Sequence, residues 1–213
     1  MTLPGALAAL LTRLASAAEP VLWDEPAPVL ELTDAERARL DAGEVVWRAD
    51  LNKGGSAGRS MVLVRASEEQ VWDVILNPDD YVLFLPYVTA SWAEPGGQPC
   101  PQDRLRWGME LTTKGVVTRY AVESRAAPST TGRTMRWEMI PSGASPMSRA
   151  TGYWMSLPWA DGRTLLVYAV DVETAWWLPV MVHQTAADRG LPTTVALFGR
   201  RAEKLSVQVQ EGR

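Results

Sequence analysis

Few of the 213 residues are of types that carry covalent or proton-transfer chemistry, and they are scattered. There is one histidine, His183, and one cysteine, Cys100. A single imidazole excludes any site that needs two, and a single thiol excludes an internal disulfide, a cysteine zinc cluster and an iron–sulfur centre. A serine hydrolase could still use His183, but no Gly-x-Ser-x-Gly presents a nucleophile, so hydrolysis has little support. His183 stands among Val180, Met181 and Val182. It reads either as a head-group partner or acid–base residue for a ligand, or as a hydrogen-bonded packing residue. Cys100, between Pro99 and Pro101, reads as an incidental exposed thiol. No metal and no cofactor are expected.

The charged residues point away from polyanions. Lys and Arg total 21 against 25 Asp and Glu, a net charge of -4, so nothing in the balance attracts nucleic acid or an anionic membrane globally. Arg119, Arg136, Glu110 and Glu138 alternate with apolar residues and read as a solvated ladder of cross-strand charges. One of them turned inward would anchor a phosphate or carboxylate, because a buried charge demands a partner. Arg48 and Asp50 invite the same question. The distinctive apolar count is Trp 10 beside Met 8 and only Phe 2. Indole and thioether side chains suit large, irregular apolar surfaces, whether a core or a binding wall.

The elements that must position these residues follow from periodicity. No apolar run reaches the roughly 18 residues of a membrane span. Residues 1–20 read as a leucine-striped helix rather than an export signal, because the early basic residue, Arg13, follows the apolar stretch instead of preceding it. A cytoplasmic location is therefore the expectation, with export as the alternative. Pro20, Pro26 and Pro28 mark an extended connector, so residues 1–42 form a helical extension ahead of a domain over 43–208. Thr33 with Glu36, and Ser67 with Gln70, have the spacing that opens a helix, and Gly43 and Asn77-Pro78 stop the two segments. From Leu105 the period becomes two. Leu105, Trp107, Met109 and Leu111, then Thr118, Tyr120 and Val122, then Met135, Trp137 and Met139, then Leu166, Tyr168, Val170 and Val172 each alternate with polar residues. Short loops at 128–132 and 161–162 join such runs into an antiparallel meander with one dry face. Leu191, Val195, Phe198, Ala202 and Leu205 return to steps of three and four, a closing helix long enough to cover that face, with 179–189 as a separate turn or kinked first half.

This order, with its landmarks, resembles the helix-grip family, which includes START lipid-transfer domains, bacterial polyketide cyclase and coenzyme Q-binding proteins, and the major birch pollen allergen. The likeness runs over about residues 43–206. It rests on Gly43-Glu44-Val45-Val46 before the first strand, on Ala66-Ser67-Glu68-Glu69-Gln70-Val71-Trp72 opening the first helix, and on the Phe84-Leu85-Pro86-Tyr87-Val88 turn. Gly152-Tyr153-Trp154, Gly162-Arg163-Thr164 and Arg189-Gly190-Leu191-Pro192 extend it through the late strands to the closing helix. None of these is a catalytic fingerprint.

The resemblance implies an α+β helix-grip fold: a curved antiparallel β-sheet wrapped around a long C-terminal α-helix, with two short helices after the first strands. It also implies a tunnel between sheet and helix for a phospholipid, sterol, quinone or similar hydrophobic molecule. Each ligand methylene buried there is worth about 0.8 kcal/mol. On this basis Trp107, Met109, Tyr120, Met135, Trp137, Met139, Trp154, His183, Val195 and Phe198 are the expected lining. Solid core predicts the same pattern for the strand residues, and Val195 and Phe198 on the closing helix share that alternative. The stretch 140–148, with Ile140, Pro141, Pro146 and Met147, matches the family's gate loop and is the expected point of transient membrane contact, an ordinary hairpin loop being the alternative. The expected activity is binding and transfer of a lipid-class ligand without catalysis. The alternatives are a cyclase or aromatase working in the same cavity, and a protein-binding regulator with no ligand.

Overall fold

The computed structural model describes residues 26–52, 55–94, 104–113, 115–127, 129–140, 147–174 and 189–211. Helix α1, Asp34–Asp41, opens with a capping box in which Thr33 Oγ1 accepts from the Glu36 amide while the Glu36 carboxylate accepts from the Thr33 amide. Gly43 follows at φ +82, a left-handed position that glycine adopts without strain. Strands β1 (Val46–Asn52) and β2 (Gly55–Val64) form a hairpin. Ser67 and Gln70 then repeat the capping box at α2, Glu68–Ile75. A 3-10 turn at Pro78–Asp80 and the short α3, Tyr81–Phe84, lead into β3, Val88–Ala93. The strands β4 (Arg104–Thr113), β5 (Val116–Ala127), β6 (Arg133–Ile140), β7 (Met147–Pro158) and β8 (Thr164–Thr174) run on as a meander. Helix α4, Leu191–Glu211, closes the chain.

The eight strands make one antiparallel sheet in the order β1-β2-β8-β7-β6-β5-β4-β3. Thus β8 returns to pair with β2, bringing the ends of the sequence pattern together. The period-two rows of the sequence become one inner face, which α2, α3 and α4 cover in a single apolar cluster. Here Val64, Val71, Trp72, Ile75, Val122, Leu166, Val195 and Ala202 are fully covered. The two short helices and the long closing helix stand where the sequence places them.

The outer face has a cluster of its own. Leu40 of α1, with Ala27, Leu30 and Leu32 before it, packs on Met61, Leu63, Met155, Leu165 and Val167. The charges flanking the apolar rows lie on this outer side. Arg48 pairs with Glu36 at 2.6 Å, and Arg104, Arg106 and Arg125 gather around Glu123. Those arginines hold the Glu123 carboxyl below its usual range despite the opposing effect of burial. Arg119 lies 4.9 Å over the Trp92 ring, opposite Glu110 in register, and Arg136 donates to the Pro26 carbonyl.

Candidate functional site

The inner face is closed at one end of the sheet and differently built at the other. At the closed end α2 acts as a floor. Trp72 Nε1 donates to Ser156 Oγ at 2.7 Å, Ser156 in turn donates to Glu68, and Arg133 stacks 4.5 Å over the Trp72 ring. Thr164 Oγ1 donates to the Ala66 carbonyl beside them. Above this floor Phe198, from the middle of α4, meets Tyr81, Phe84 and Trp154 with ring centroids 5.0, 5.0 and 4.5 Å away. Trp107 adds an edge contact to Tyr81 at 5.5 Å and donates from Nε1 to Ser124 Oγ. This half is packed core.

Toward the other end, α4 lies along β2 rather than over the middle of the sheet. Small residues set this placement: a Cβ on Gly58 would sit 2.4 Å from Leu191 Cδ1, and Ser60 Oγ donates to the Leu191 carbonyl at 3.0 Å. Across the interior the Tyr87 hydroxyl meets Thr194 Oγ1 at 2.6 Å, tying the first turn of α4 to the turn before β3. Between these anchors the inward-facing residues lose their cover. Along β8, Leu166 is fully covered, whereas Tyr168, Val170 and Val172 keep accessible surface. Along β5, Ser124 and Val122 are covered and Tyr120 is not; along β4, Met109 is covered and Leu111 is not. Farther toward that end Thr118 and Ala150 are covered again. Tyr120 keeps accessible surface although Thr118 and Val122 on either side of it along β5 are dry, so that surface faces a space inside the protein.

Four of the five tyrosines converge on this region: Tyr81 and Tyr87 from the α3 side, Tyr120 from β5 and Tyr168 from β8. Burial pushes all four phenols above their ordinary pKa, and the remaining shift on Tyr168 comes from its neighbours Tyr120, Tyr87 and Tyr81. All four are neutral hydroxyls at physiological pH. Tyr81 donates to the Ile75 carbonyl and Tyr87 is engaged with Thr194. Tyr168 stacks on Trp154 at 4.3 Å and lies near parallel to Trp137 at 6.3 Å.

Of the residues expected to line a tunnel, Trp107, Met109, Met135, Trp137, Met139, Trp154, Val195 and Phe198 all belong to the inner cluster, and Tyr120 packs against it while partly exposed. His183 lies outside the described residues, as do Cys100, the segments 1–20 and 179–188, and Pro141 and Pro146. Ile140 ends β6 and Met147 begins β7, so the expected gate loop is described only at its two shoulders. Tyr87, Tyr168, Val170 and Val172 were not among the expected lining residues, although alternation had already placed the last three on the inner face and Tyr87 belongs to the Phe84–Val88 turn. The signal that could have found them is the concentration of tyrosine at inward positions.

No protein-family model matches the sequence, and no curated protein matches it. Solved structures do match in fold. A STAR-related lipid transfer protein from Xanthomonas axonopodis superposes with a TM-score of 0.60 at 14% identity, covering 74% of this chain and 93% of that one. Human STARD10 gives 0.59 at 11% identity, covering 90% and 87%. The Zhui aromatase/cyclase from a Streptomyces species gives 0.56 at 15% identity, covering 75% and 96%. At such identities the likeness is one of fold. It corrects one expectation: the sequence reading of a protein without catalysis does not stand, because an aromatase/cyclase shares this architecture, at a TM-score of 0.56 beside 0.60 for the STAR-related lipid transfer protein. An eight-stranded antiparallel sheet gripping a long C-terminal helix, with these structural neighbours, gives the chain the START-like helix-grip fold.

Proposed function

We propose that the chain binds one hydrophobic small molecule in the space between its sheet and α4, shields it from water, and transfers it when the α4 end opens. The observation that carries this reading is the loss of cover in mid-sheet. Tyr120 keeps accessible surface although Thr118 and Val122 beside it on β5 are dry, and Tyr168, Val170 and Val172 stay partly open in a row along β8. An apolar guest there would gain about 25 cal/mol for each Å² removed from water. In this reading Met109, Tyr120, Trp137, Met139 and Trp154 form the wall with Tyr168, Val170 and Val172, and Ile140 and Met147 flank the entrance. The Tyr87–Thr194 hydrogen bond is the latch.

Native mass spectrometry of the purified full chain, followed by solvent extraction, tests the proposal. A released hydrophobic compound in about one-to-one ratio supports it. Protein at its bare mass that also takes up no lipophilic probe removes it.

A second reading is aromatase/cyclase-type chemistry in the same space, favoured by the four converging phenols, which are neutral donors suited to polarising a carbonyl. The extraction separates the two. A ligand recovered unchanged after prolonged incubation supports transfer, and one recovered with water lost supports cyclisation.

A further inference from the structure

Resting on the binding reading above, the polar groups of the interior narrow what kind of molecule fits. Among the described residues, the inward positions of β4 to β8 at the uncovered end carry no charged side chain. The arginines and glutamates of those strands are on the outer face, where three arginines gather around Glu123, except Arg133, which lies over the Trp72 ring at the closed end. An ionised head group entering this space would leave water without a cation or carboxylate to meet it, and such transfers are strongly unfavourable.

Neutral donors, by contrast, are left over. Neither the Tyr120 nor the Tyr168 hydroxyl hydrogen-bonds to a described residue, and each lies close enough to the others of the group that a charge on one would repel a charge on the next. Trp137 Nε1 is fully covered and also has no acceptor. A buried donor without an acceptor, as Trp137 Nε1 is, is rare, because the desolvation it suffers is not returned unless something accepts from it, whereas the two hydroxyls belong to side chains that keep accessible surface. Two of the three rings that carry these donors, Tyr168 and Trp137, are stacked. Tyr168 lies within 29° of parallel to Trp154 and within 14° of Trp137. Glycine permits this, since a Cβ at Gly152 would sit 2.6 Å from the Trp137 ring.

We infer that the interior site takes an uncharged ligand with a flat ring system and an acceptor oxygen. The ring lies against the Trp137–Tyr168–Trp154 platform, and the oxygen accepts from the Tyr120 and Tyr168 hydroxyls. Aromatic faces give the platform its preference for planar partners, and the two phenols give the site its polarity requirement.

Three naphthalene probes of similar size, titrated into the full chain by calorimetry, separate these contributions. They are 2-acetylnaphthalene, which has an acceptor carbonyl; 2-ethylnaphthalene, which lacks one; and 2-naphthoate, which is ionised at neutral pH. The ketone is expected to bind at least about tenfold tighter than the carboxylate. In the double variant Tyr120→Phe, Tyr168→Phe, ketone affinity falls about tenfold, while that of 2-ethylnaphthalene is unchanged and so reports an intact fold and platform. Unchanged ketone affinity in the double variant, or tightest binding of the carboxylate, overturns the inference. If none of the probes binds but phosphatidylcholine is taken up from vesicles, this inference fails and the binding reading survives. If phosphatidylcholine is refused as well, both fail.

Discussion

Deleting the same two methyl groups at two inward-facing valines tests whether the interior holds a space. Val122 on β5 is fully covered, and Val170 on β8 keeps accessible surface next to Gly152. Val122→Ala removes about 1.6 kcal/mol of transfer free energy and leaves a hole the surrounding rings fill only partly, so a total near 2–3 kcal/mol is expected. Val170→Ala loses only part of that transfer energy and enlarges a space that already exists, so about 1 kcal/mol or less is expected. Both substitutions sacrifice the same strand preference, which cancels in the difference. Urea unfolding measures the pair, and with a slope of about 2 kcal/mol/M the midpoints should separate by roughly 1 M. The order should invert for ligand binding: Val170→Ala changes the affinity of a bound probe, and Val122→Ala leaves it alone in folded protein. Equal stability losses would mean that the protein's own side chains fill the interior uniformly, and the argument for a binding space would collapse.

The latch gives a kinetic expectation. Tyr87→Phe removes the 2.6 Å hydrogen bond to Thr194, costing about 0.5–1.5 kcal/mol in stability and accelerating exchange of a bound fluorescent probe in stopped flow. An unaltered exchange rate assigns Tyr87 to packing alone. Alkaline pH acts through the phenols. Their folded pKa values lie above the unfolded value of 10.0, so this contribution to stability is complete below about pH 10 and declines as pH rises beyond it. Phenolate absorbance of the four buried tyrosines should appear together with unfolding, and titration near the unfolded value with the fold intact would refute their burial. At the β5–β6 turn, Gly132 has φ +72 and a Cβ there would lie 1.9 Å from the Ser156 carbonyl oxygen. Gly132→Ala should destabilise by roughly 2 kcal/mol or more, and an unshifted melting temperature would contradict the turn.

Much of the architecture was legible because it is local. The two capping boxes need only a hydroxyl and a carboxylate or amide three residues apart, and both form as their spacing dictates. The inner face was legible because strand side chains alternate, so Trp107 and Met109, or Trp137 and Met139, had to share a side wherever the strand paired. The outer cluster was less legible. The connector carries Leu30 and Leu32, but their partners Met155 and Val167 are more than a hundred residues away, and no period in the sequence links them.

Composition and periodicity determined that this chain makes a sheet with one apolar face and a helix able to cover it, since both depend on residues a few positions apart. They did not distinguish lining from core, because a methionine facing a ligand and one facing a phenylalanine obey the same alternation. Only the tertiary structure decided that α4 lies on Gly58 and Ser60 of β2, leaving Tyr120, Tyr168 and Val170 uncovered, while Phe198 and Trp154 fill the floor. The reason is geometric: a helix is straight and this sheet is curved, so contact along one strand pair leaves a gap over the others, and the gap's position depends on where the smallest side chains permit closest approach.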